Sequence, residues 1–120
     1  MDRMPLVLLV ASSVVLLLQP PPALAHAILL RATPAADSTL AGPDVPFELR
    51  FNSRIDARRS RLSILLPGGK LRPLSIEQQT SADTLRSKAA HLEPGVYRLQ
   101  WQVLASDGHV SRGEVAFTIK

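Results

Sequence analysis

Cysteine is absent from this 120-residue sequence, and its two methionines, Met1 and Met4, both stand at the very start. Beyond residue 4 there is neither thiolate nor thioether, which excludes disulfide staples and every soft sulfur site for a metal. Aromatic residues are scarce as well, with one Trp, one Tyr and three Phe. That is too few for the flat aromatic surface on which a sugar polymer would stack. No internal repeat and no convincing helical period occurs, and the one long apolar run, Pro5 to Leu18, falls short of the roughly 20 residues that span a bilayer.

What is present begins with an export signal. Met1 to Ala25 has a weak charged start in Asp2 and Arg3, the apolar run, a helix-breaking Gln19-Pro20-Pro21-Pro22, and then Ala23-Leu24-Ala25. Small residues of that kind are what signal peptidase needs before its cut. Cleavage is expected after Ala25, which makes residues 1–25 a removed signal peptide and residues 26–120 the mature domain, with His26 as its first residue. The alternative, a membrane anchor, is disfavoured by the short run and the triple proline. Asp2 and Arg3 cancel, so the formal charge of +4 belongs to the mature chain. Export separates that charge from nucleic acid, and no membrane insertion is expected after cleavage. The basic balance therefore reads as a solvated face or a docking surface.

The mature chain has the size of one small domain with a single core, and its periodicity is that of strands. Ala27 to Ala32 is a short apolar run stopped at Thr33-Pro34, and residues 35–46 read as loop. Val45, Phe47, Leu49 and Phe51 alternate with polar neighbours, and Leu62, Ile64 and Leu66 alternate across Ser60 to Leu66. Pro67-Gly68-Gly69-Lys70 forms a hairpin turn into Leu71 to Leu74. Ile76 to Ala90 is less patterned, with a polar loop at Ser75 to Ala82 and a short strand around Thr84-Leu85-Arg86.

The last third carries the strongest pattern. Tyr97, Leu99, Trp101 and Val103 share one face, and after a turn Val115, Phe117 and Ile119 share another, which predicts an antiparallel pair. Leu92 to Tyr97 fits a tyrosine corner. About seven short strands without a helix predict an all-β fold, a Greek-key β-sandwich or barrel.

The turn between those last two strands reads Ser106-Asp107-Gly108-His109. It sets a carboxylate and an imidazole two residues apart, a first-row metal set that needs further donors. Cleavage before His26 would supply them, because a terminal histidine chelates through its amine and Nδ1 together. His26 and His109 then offer three nitrogens in the tetragonal arrangement that Cu(II) prefers, and Asp107 adds an anionic oxygen. Gly108 suits a backbone conformation that a Cβ would resist. With no sulfur donor, Cu(I) has no home, so the expected metal is Cu(II) alone.

These residues, with Ala32-Thr33-Pro34-Ala35, Asp37-Ser38, Leu49-Arg50-Phe51, Pro94-Gly95-Val96-Tyr97, Trp101, Gly113 and Phe117, resemble the CopC-type periplasmic copper-binding proteins along nearly the whole mature chain. The resemblance implies a cupredoxin-like or immunoglobulin-like Greek-key fold. It also implies Cu(II) held by the amine and imidazole of His26 with Asp107 and His109, and a carrier or buffer role in copper resistance. An inner-membrane copper transport protein of the CopD type is the implied partner. Two departures stand out: the methionine-rich Cu(I) site of some members is missing, and Asn52-Ser53-Arg54 replaces a common acidic residue.

Other readings compete with this one. His26 and His109 also resemble the histidine brace of copper monooxygenases, although Asp107 would fill the position that oxygen needs. A metal-free immunoglobulin-like binding module would use the same fold. Taken singly, Asp107-Gly108 is a common turn dipeptide, His91 a solvated loop residue, Tyr97 and Trp101 core residues, and Arg54, Arg58, Arg59 and Arg61 a solvated face.

Overall fold

A computed structural model describes residues 26–120; the expected signal peptide lies outside the described residues. The described residues contain no helix, and none long and apolar enough to cross a membrane. They form eight strands: β1 (Leu29–Thr33), β2 (Ser38–Leu40), β3 (Val45–Phe51), β4 (Ile55–Leu65), β5 (Leu71–Leu74), β6 (Thr84–Ala89), β7 (Gly95–Ala105) and β8 (Val110–Ile119). One sheet has the order β1-β3-β6 and the other β2-β8-β7-β4-β5. Every pairing is antiparallel except β2 with β8.

The alternation in the sequence becomes the wall of the core. Along β3 every second residue from Val45 to Phe51 is buried, and along β7 so is every second residue from Tyr97 to Ala105. Phe117 stacks on Tyr97 at 5.5 Å and tilts against Phe47 at 5.5 Å, while Phe51 meets Trp101 edge-on at 5.1 Å. Burying a phenylalanine of this kind contributes about 1.5–3 kcal/mol, so the few aromatics are concentrated where they stabilise most. Gly113 pairs with Trp101 across β7 and β8. A Cβ there would run into Cζ2 and Cε2 of the indole, so this glycine is demanded by packing.

Both turn expectations hold. In the β4–β5 hairpin, Gly69 N–H donates to Leu66 O at 3.0 Å and Leu66 N–H to Lys70 O at 2.8 Å. The tyrosine corner closes where Tyr97 Oη donates to Glu93 O at 2.6 Å.

Two local expectations change. Residues 35–46, read as loop, contain β2, which lies parallel on the end of β8, from Ser38 opposite Phe117 to Leu40 opposite Ile119. Three residues are too few to show alternation, and backbone bonds from Asp37 N–H to Ala116 O and from Lys120 N–H to Leu40 O hold them. The strand expected to begin at Ser60 begins at Ile55, because a wide bulge between Asp56 and Arg61 hides its period. The apolar run at Ala27 to Ala32 leads into the edge strand β1, with Ala27 buried and Ile28 and Leu30 exposed.

Candidate metal centre

The β7–β8 hairpin closes in a tight three-residue loop. Gly108 N–H donates to Ala105 O and Ala105 N–H to His109 O, each at 2.9 Å. Gly108 sits at φ +89°, the left-handed position that such a loop requires and that glycine fills without strain. The turn presents Asp107 and His109 on either side of it. Asp107 Oδ1 accepts a hydrogen bond from His109 N–H at 3.1 Å and lies 3.4 Å from His109 Nδ1. The backbone bond from His109 comes first among the causes that hold the Asp107 carboxyl below its ordinary range, and attraction to the His109 ring adds to it.

His26, three residues ahead of β1 in the other sheet, reaches the same place. Its ring centroid is 6.3 Å from that of His109, with the planes at 77°. Two side-chain acceptors hold the segment behind it. Ser111 Oγ accepts from Ala27 N–H at 2.9 Å in a buried contact, and Asn52 Oδ1 accepts from Ile28 N–H at 2.8 Å. Asn52 N–H returns a bond to Ile28 O at 3.0 Å. A buried amide left without an acceptor costs about 1–3 kcal/mol, so Ser111 strongly fixes where the chain enters β1.

The structure thus brings His26 to His109 and Asp107 to His109. It does not draw the three into one closed ligand sphere: among the described residues, no group of three His, Asp or Glu side chains is placed to hold a metal as it stands. Side-chain donors alone are insufficient here. His91 lies elsewhere, with φ +60° and its N–H 3.3 Å from Asp44 Oδ1. It borders a groove of about 750 Å³ that touches none of His26, Asp107 and His109.

The CopC domain model matches residues 29–120. The chain belongs to the CopC domain family. The match includes Asp107 and His109 and begins three residues after His26. Copper resistance protein C of Escherichia coli is 29% identical to the chain over 107 residues, covering 82% of it and 84% of that protein. Protein YobA of Escherichia coli K12 is 28% identical over 99 residues and covers 80% of each. Among solved structures, the crystal structure of CopC from Methylosinus trichosporium OB3b aligns with a TM-score of 0.74 at 32% identity, over 79% of this chain and 94% of that one. PcoC, a methionine-rich copper resistance protein from Escherichia coli, aligns at 0.63 and 24% identity and covers 79% and 99%; at that identity it supports the fold alone.

Two residues around the site of this CopC domain escaped the sequence reading. Asn52 stood out only as a departure from an acidic residue, yet its amide is the acceptor for Ile28. Ser111 was not singled out at all. Its signal was available: it falls on the inward face of β8 with Val115, Phe117 and Ile119, and a polar residue on such a face needs a partner.

Proposed function

We propose that the mature chain begins at His26 and serves as a non-enzymatic periplasmic carrier or buffer of Cu(II). It would act in copper resistance or homeostasis, or in supply to a membrane copper importer of the CopD type. The observation that supports this most is the approach of the His26 and His109 rings, 6.3 Å between centroids, from segments that lead into two different sheets. In the uncleaved chain the His26 nitrogen is a peptide nitrogen. Cleavage frees it as an amine, which adds the donor that the side chains lack and lets His26 chelate through amine and imidazole together. His109 supplies a third nitrogen. Asp107 Oδ1 takes the backbone N–H of His109, leaving Oδ2 to meet the metal.

Closure on the ion asks for rotation of the half-exposed side chains of His109 and Asp107, 57% and 45% exposed, while the backbone stays where the hairpin and the two tethers hold it. Hard oxygen and imidazole donors without sulfur favour the cupric state. The names of relatives in the family, copper resistance proteins, agree with a metal cargo, and Asp107 beside His109 leaves little room for oxygen activation.

Competition of the chain starting at His26 against a Cu(II) chelator tests the reading. One tightly held ion per chain is expected, and no turnover in an oxidase assay on polysaccharide. Absence of stoichiometric binding would return the chain to the metal-free module, and oxidative cleavage would make it an enzyme.

A further inference from the structure

The wide bulge in β4 lies beside the hairpin that carries Asp107 and His109. Ile55 pairs with Ala105, and Ser106 N–H donates to Arg54 O at 3.0 Å. From Asp56 opposite Leu104 to Arg61 opposite Gln102, β4 takes five steps while β7 takes two. The surplus residues form a built loop. Ser60 Oγ donates to Asp56 O at 2.6 Å and accepts from Leu104 N–H at 3.1 Å, and Asp56 Oδ1 accepts from Arg58 N–H at 3.1 Å. Bulges of this sort re-aim side chains, and here Arg58 and Arg59 are thrust into solvent between exposed Arg54 and Arg61. Among the described residues only Arg59 of these four meets a carboxylate, Asp56 at 3.8 Å.

Lysine, but not arginine, is confined to one end of the sandwich: Arg72 and Arg98 lie near Ile64 and Leu65 at the end opposite the hairpin. Lys70, Lys88 and Lys120 are the only lysines after residue 25, and register places all three toward the end opposite the hairpin, near Leu65, Val45 and Ile119. The hairpin end carries arginine but no lysine, beside the carboxylates of Asp56 and Asp107. It also has Ile28, Leu30 and Val110, three of the five exposed large apolar side chains among the described residues. Ile28 and Val110 flank the contact that joins Ala27 to Ser111.

We infer that this end is a docking surface for a protein partner with a carboxylate-rich rim, gripped by the Arg58–Arg59 bulge and seated on Ile28 and Val110. The inference rests on the copper reading in one respect: a partner that takes up Cu(II) presents oxygen or nitrogen donors, and carboxylates are the donors among these that also pair with arginine. Arginine in place of lysine favours a protein over a lipid surface. Its planar fork engages carboxylates in pairs and is enriched at protein interfaces, whereas a bilayer attracts either cation alike.

The test measures binding of a fluorescein-labelled oligoglutamate peptide by anisotropy to the metal-free chain His26 to Lys120, so its outcome does not depend on copper. The double variant Arg58→Glu, Arg59→Glu is compared with Lys70→Glu, Lys88→Glu, which changes net charge equally at the far end. The bulge variant is expected to weaken binding about tenfold and to flatten its salt dependence, with the lysine variant close to the parent. Arg58→Gln with Arg59→Gln repeats the test without adding charge beside Asp56. Equal losses in both double variants would reduce the effect to net charge and overturn the proposal. So would absence of peptide binding, or arginine-dependent binding to phosphatidylglycerol vesicles in its place.

Discussion

The two ends of the sandwich are built on opposite terms. At the end away from the β7–β8 hairpin, Phe117 stacks on Tyr97 and tilts against Phe47, and the Tyr97 hydroxyl is tied to Glu93 O. These ring side chains are buried and present no donor to solvent. At the hairpin end, His26, Asp107 and His109 are exposed, on segments tied down by bonds to Ser111, Asn52, Arg54 and Ala105. One end supplies stability and the other supplies open donors, so changes at the two ends should separate stability from metal affinity.

The sharpest break in that comparison is His109→Ala. It removes a nitrogen donor from an exposed turn, so Cu(II) affinity should fall about a hundredfold, equivalent to about 2.7 kcal/mol, while the melting temperature stays within a degree or so of the parent. Competition titration and calorimetry on the same variant read both quantities. Gly113→Ala should do the reverse. Its methyl group collides with the Trp101 ring, which should cost about 1–3 kcal/mol in urea unfolding, with copper affinity little changed in the folded fraction.

Ser111→Ala should change both quantities together. It leaves the buried Ala27 N–H without its acceptor, lowering stability by about 1–2 kcal/mol and loosening His26 enough to weaken copper binding several-fold. Loss of stability with unchanged affinity would show that His26 finds its place without this tether.

The smallest effect concerns acid. The Asp107 carboxyl is held below its ordinary value, so its contribution to the turn is complete above that value and is lost as pH falls through the lowered one. Copper should leave at a higher pH than that, since protons compete with metal for the nitrogen donors first. Carbon-13 titration of Asp107 beside copper titrations at several pH values would show the order, and release of copper in step with Asp107 protonation would contradict it.

Much of this molecule was legible in its residues. The strict alternation of β3, β7 and β8 encodes a two-sided sheet, and the Gly108 turn and the tyrosine corner follow from local chemistry. The meeting of His26 with the hairpin was permitted by the sequence, not dictated by it. It depends on Ser111 and Asn52, side chains that bond to backbone amides distant in sequence, and such bonds leave no periodic trace. The β4 bulge was hidden for a related reason: extra residues inside a strand erase the alternation by which a strand is read. The three-residue β2 is too short to show a period at all.

The most direct test of the central claim is the Cu(II) electron paramagnetic resonance spectrum of the chain beginning at His26, beside that of a chain with one additional residue ahead of it. The account predicts a nitrogen-rich tetragonal spectrum with tight one-to-one binding, lost in the extended chain because its His26 nitrogen is a peptide amide. Identical spectra and affinities from the two would contradict it, since the terminal amine would then be no ligand.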